Sequence, residues 1–222
     1  MTESGPSRAA AARENWARAE RATLCDLLAE LGPDAPTLCT GWRTRDLAAH
    51  LIVRERRVDA APGILLRPIA GHLARVQADY ARRPYPQLVE ELRHPPRWAV
   101  LSAIPLLDKV VNTQEYFIHT EDVRRAQPQW APRPVPDGLA QALWQRIRTQ
   151  GRFVLRRFPA TITIEVTGCG EVRTGRGGPP VRLRGDAGEI AMFLSGRQRA
   201  ALVELTGPAD LTERLRTLRL GL

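Results

Sequence analysis

The sequence predicts an α+β protein, a helical bundle followed by a small α/β domain. Three observations carry this. Apolar residues recur at helical spacing through the first 127 residues and in one further stretch beyond them. The segment 128–137 then holds Pro128, Pro132, Pro134 and Pro136, which no helix or central strand accommodates. After one more helix the period falls from helical to two, as in TITIEV at 161–166. The expected organisation is a bundle at 1–127, a proline-rich linker at 128–137 and an α/β domain at 138–222.

Each element has a local cause. Ser7 is placed to cap a helix running to Leu31, where Trp16, Leu24, Leu27 and Leu31 repeat and Gly32-Pro33 ends the run. A loop with Cys39, Gly41 and Trp42 follows, and Thr44 is expected to cap a second helix reaching about Asp59. Shorter helices are predicted at 69–82 and 86–93, interrupted by Pro84 and Pro86, and a long one from Leu106 to about Gln127. Leu139 to Phe158 reads as helix. EVRT (171–174), VRLRG (181–185) and VELTG (203–207) read as strands, with a capped helix from Asp186 to Ser195 and a last helix from Asp210 to Leu220.

Composition excludes several classes. The 222 residues are 43% apolar and 26% charged, enough to build a core and too apolar for a disordered chain. The longest apolar run, Ala99 to Leu107, is broken by Pro105, so no ordinary transmembrane helix is expected. The first residues carry Glu3 and lack a continuous apolar segment, unlike a secretory signal. Three scattered cysteines, Cys25, Cys39 and Cys169, suit neither a disulfide framework nor a cysteine zinc site. A cytoplasmic protein is expected, and no membrane partner.

The net charge of +9 is uneven: 1–127 carry 18 basic and 16 acidic residues, 128–222 carry 15 and 8. All four histidines lie in the first part. Lys109 is the only lysine, so the arginine excess resembles GC-rich codon usage and argues weakly for an anionic partner. Without a helix-turn-helix, zinc-finger or RNA-recognition signature, a nucleic-acid-binding protein is the least favoured function.

The stretch DKVVNTQEYFIHTEDVRRA (108–126) concentrates the chemistry. On a helical wheel Asp108, Asn112, Glu115, His119 and Asp122 fall within about 80°. Lys109, Thr113, Thr120 and Arg124 form a second polar sector, expected to be the wet face, which leaves the acid–histidine stripe free to face a cavity. Glu115 and His119, four residues apart, have Cβ atoms about 5–6 Å apart and can converge on one divalent ion. His50, beside the buried face of the second helix, is the natural third ligand, because bundles assemble metal sites from facing helices. The competing reading is ordinary: E-x-x-x-H is common in helices, and a histidine such as His50 taken alone is more often a satisfied core or boundary residue. Asp122 is read as an acceptor orienting the His119 ring or as an acid pairing with Arg125 or Arg54. Cys39 is read as a small buried thiol, and Trp42 as the anchor of its loop.

These residues carry a resemblance. GWRTRDLAAHL (41–51) followed by NTQEYFIHTEDVRR (112–125) resembles the DinB-like, mycothiol-dependent maleylpyruvate isomerase superfamily, and within it a group of actinobacterial metal-binding proteins of unassigned reaction. RGDAGEIAMFLSGR (184–197) is similar, more loosely, to the superfamily's C-terminal domain. The resemblance implies a DinB-like four-helix bundle with one divalent metal on His50, Glu115 and His119, with Asp122 as the acid after the second histidine. Zinc is the first choice of ion, and nickel and iron(II) suit the same donor set. It further implies a thiol of the mycothiol type as cosubstrate and a transferase or isomerase acting on a small molecule. The alternative is a non-catalytic metal-binding or sensor module. Arg182, Arg184, Arg197, Arg199 and Arg219 are candidates for receiving an anionic substrate. Substrate and oligomeric state are left open.

Overall fold

A computed structural model describes residues 15–56, 70–95 and 112–220. The expected cap at Ser7, the end of the second helix beyond Arg56, and the wheel positions Asp108 and Lys109 lie outside the described residues. The chain falls into two compact units, one of residues 17–132 and the other of residues 133–221 together with Trp16. The fold is α+β.

The first unit is helical: α1 (Trp16–Leu31), α2 (Thr44–Arg56), α3 (Ala70–Ala81), α4 (Tyr85–Arg93) and α5 (Thr113–Arg124). Its core joins Leu24 and Leu28 of α1, Leu47 and Leu51 of α2, Leu88 and Leu92 of α4, and Tyr116 and Val123 of α5. Helix α1 stops where Gly32 takes the left-handed conformation (φ 76°) and its N–H bonds Leu28 O at 3.1 Å. Pro84 stands at the N-cap of α4 with Pro86 in its first turn, where a missing N–H costs nothing.

Two local expectations are corrected. Thr44 does not cap α2: its hydroxyl donates to Gly32 O at 2.5 Å, and it is Asp46 that reaches back to the Arg43 N–H at 2.9 Å. Among the described residues the second polar sector of α5 is not a wet face, since Thr113 and Thr120 are buried and Arg124 alone emerges. A threonine tolerates this because its hydroxyl is satisfied within the helix, as Thr120 Oγ1 on Tyr116 O at 2.8 Å. Helix α5 is thus buried nearly all round.

The second unit opens with α6 (Asp137–Leu155), entered through Pro136. Strands β1 (Thr161–Val166), β2 (Gly170–Thr174), β3 (Pro180–Gly185) and β4 (Glu204–Thr206) form a sheet of order β2-β1-β3-β4. β1 is antiparallel to β2 and parallel to β3, which is antiparallel to β4. Ile162, Ile164, Val166, Val172, Val181 and Leu183 turn to the buried face, as period two requires. Helix α6 packs on β1, β2 and α7 (Ala187–Leu194), and α8 (Ala209–Thr217) closes the order. Asp186 occupies the N-cap position of α7 without a side-chain capping bond, a second departure from the expected cap. Gly175 needs its missing side chain: at φ 97° a Cβ would lie 2.0 Å from Ala160 O.

Candidate metal centre

Helices α2 and α5 and the loop between α1 and α2 build the site. The loop is shaped by a turn in which Trp42 N bonds Cys39 O (2.9 Å) and by the Thr37 hydroxyl, which donates to Trp42 O (2.9 Å). It is tied to α5 by Leu38 N on Asp122 O (2.9 Å) and Gln127 Nε2 on Pro36 O (3.2 Å). Trp42 thereby lies against His50, ring centroids 4.9 Å apart.

His50, Glu115 and His119 come together, with one ligand atom of each within 4.8 Å of the others. His119 Nε2 is 3.3 Å from Glu115 Oε1, and the two imidazoles meet edge to face with centroids 5.8 Å apart. On its other side His119 Nδ1 is 2.9 Å from Asp122 Oδ2, and the Cys39 thiol donates to the same oxygen at 3.2 Å. Asp122 is wholly buried. Arg54 takes Glu115 (3.3 Å) and Asn112 (2.8 Å), and Arg125 takes buried Glu121 (2.7 Å).

The electrostatics differ across the three. Burial, helped by the neighbouring His119, pushes His50 down to about 4, so its ring is neutral at physiological pH. Burial opposes the charge of Glu115, yet the His119 hydrogen bond and the Arg54 guanidinium hold its carboxyl well below the usual range. Burial opposes protonation of His119 too, but Asp122, then Cys39 and Glu115, hold its pKa well above that of a free imidazole.

Two neutral-capable imidazoles and an ionised carboxylate are a fitting donor set for one divalent ion. Such an ion would take the place of the proton between His119 and Glu115. The buried Asp122 against Nδ1 leaves Nε2 to face the site, the outer arrangement common to metal-bound histidines.

No protein-family model matches the sequence, and no curated protein matches it. Solved structures do. A crystal structure of a histidine-to-alanine variant of the mycothiol-dependent maleylpyruvate isomerase matches with a TM-score of 0.59, and a crystal structure of the isomerase itself with 0.53. Each is 14% identical, covering 86% of this chain and 90% of the other. This chain has the maleylpyruvate isomerase fold. Within that fold the likeness spans both units, since the matched share exceeds either unit alone.

Sequence reasoning missed Arg54 as the partner of Glu115. It lies four residues after His50, hence on the same face, and that spacing was the available signal. Nothing in the sequence pointed to Gln77 of α3, which lies beside His50 and donates from Nε2 to Asp46 O at 3.5 Å. His94 caps α4 at the surface and pairs with Glu90 at 2.8 Å. Arg182 and Arg184 both engage Glu165, and Arg197 donates to Ser195 O, so each is occupied within its own unit. Among the described residues, no helix is long and apolar enough to cross a membrane.

Proposed function

We propose that this chain is a divalent-metal-dependent enzyme of thiol chemistry, an S-transferase or isomerase acting on a small molecule, with the metal on His50, Glu115 and His119. The reading includes zinc as the native ion, with nickel and iron(II) as the other candidates, a mycothiol-type thiol as cosubstrate, and a cytoplasmic setting. It also takes the shared core of α1, α2, α4 and α5 as a DinB-like four-helix bundle. The observation that carries it is the convergence of the three ligand atoms within 4.8 Å, with His119 held from behind by a buried acid. The name of the structurally similar isomerase supports the choice of thiol.

Each residue has a part that follows from its surroundings. His50 presents a neutral ring whose lone pair is available without first shedding a proton at neutral pH. Glu115 supplies an ionised carboxylate, kept so against burial by the His119 hydrogen bond and the Arg54 guanidinium. Asp122 holds the His119 ring in place through Nδ1. A divalent ion held by His50, Glu115 and His119 would supply the chemistry of favouring thiolate over thiol at neutral pH.

Elemental analysis of protein purified without an affinity tag tests this. Wild type, His50→Ala and the Glu115→Ala/His119→Ala double variant are compared, then cobalt-substituted and titrated with mycothiol. The reading expects near-stoichiometric metal in wild type only, and a cobalt spectrum that changes with thiol. Metal that ignores the thiol would move the assignment to a non-catalytic binding module. Absence of metal after reconstitution would overturn the ligand set.

A further inference from the structure

A second buried cluster lies beside the candidate centre without including any of its ligands. Arg21 of α1, Glu55 of α2 and Tyr116 of α5 meet in the interior, 8%, 3% and 0% exposed. The Arg21 guanidinium and the Tyr116 hydroxyl donate to the same Glu55 oxygen, and the guanidinium lies over the Tyr116 ring at 4.7 Å. One residue earlier on each of the two helices stands the pair Arg54–Glu115, 3.3 Å apart. Four residues back along α2 and four forward along α5, His50 faces His119. The two contacts step in opposite directions, so α2 and α5 run antiparallel, and the three ligands meet in only one register.

Apolar contacts do not select that register sharply. Leu47, Leu51, Leu88 and Leu92 bury their area by a non-directional force that tolerates a small slide or rotation. A buried carboxylate held by a guanidinium and a phenol is satisfied at one axial and rotational setting and is costly at others. We propose that Arg21, Glu55 and Tyr116 are positioning residues, a registry lock that brings His50, Glu115 and His119 into ligating geometry; this rests on the metal reading above. The cluster acts through the helices, never on the ion or the substrate.

The test separates position from stability. Replacing the cluster by apolar groups of similar size (Arg21→Met, Glu55→Met, Tyr116→Phe together) removes both charges of the pair at once, a replacement that is often neutral or stabilising for buried ion pairs. The triple variant is expected to keep the wild-type circular dichroism and thermal transition, while its cobalt dissociation constant rises at least about tenfold and its ligand-field spectrum changes. Wild-type cobalt affinity and spectrum in a folded triple variant would overturn the registry lock and leave the metal site standing. A wild type that takes up no cobalt would overturn both. Should the triple variant not fold, the decision passes to a milder variant. Tyr116→Phe alone, with Arg21–Glu55 intact, then provides the check: unchanged cobalt binding overturns the lock.

Discussion

At the scale of single residues, Asp122 does the most with one carboxylate. One oxygen meets both His119 Nδ1 and the Cys39 thiol, and its backbone carbonyl takes the loop amide of Leu38. Asp122→Asn keeps the size and removes the charge, and should weaken metal binding about 10–100-fold. Competition with a chromophoric chelator measures this; equal affinity in the two proteins would remove Asp122 from the site. Cys25 behaves differently. Burial pushes its thiol up from 9.0 to about 12, so the folded protein holds that proton more tightly than the unfolded chain does. Its stabilising contribution is therefore complete below about pH 9 and is lost as pH climbs toward 12. A Cys25→Ala variant should show a shallower loss of stability across that window in urea melts. In native protein a thiol reagent should label half-buried Cys39 and Cys169 before Cys25.

At the scale of elements, the connection between β2 and β3 depends on one glycine. Gly175 has φ 97°, and a Cβ there would lie 2.0 Å from Ala160 O, backbone that cannot swing aside as a side chain can. Gly175→Ala should cost about 2–4 kcal/mol, read from denaturant unfolding, through combined strain and clash. A change under about 0.5 kcal/mol would mean that the turn relaxes freely. The proposed lock makes the corresponding demand on α2 and α5, where altered cobalt binding at unchanged stability is the signature.

At the scale of the whole molecule, an ion that binds the folded chain must stabilise it by mass action. Zinc at a thousandfold excess over its dissociation constant should add about 4 kcal/mol, seen as a raised thermal transition. His119→Ala should abolish the rise. A rise that persists in this variant would place the ion elsewhere. Much of the fold was legible because it follows from period and punctuation. Pro84, Pro86 and the prolines of 128–136 mark breaks, and TITIEV alternates as a half-buried strand must. The helix caps were less legible. A threonine before a helix is a good cap in general, but Thr44 is already the first residue of α2, and its hydroxyl donates to Gly32 O, far off in sequence.

The α+β class, the order of the elements, and the placing of Glu115 and His119 one turn apart on a single helix could all be read from the chain before any packing was known. These depend on local rules, the 3.6-residue turn and the two-residue pleat, which any chain obeys whatever surrounds it. Only the tertiary structure decided that α5 is buried nearly all round, that Asp122 turns to His119 while Arg54 takes Glu115, and that Glu55 joins Arg21 and Tyr116. Each of these is a choice between partners distant in the chain. It is settled by which helices share a core and in what register, and a wheel drawn for one helix contains neither.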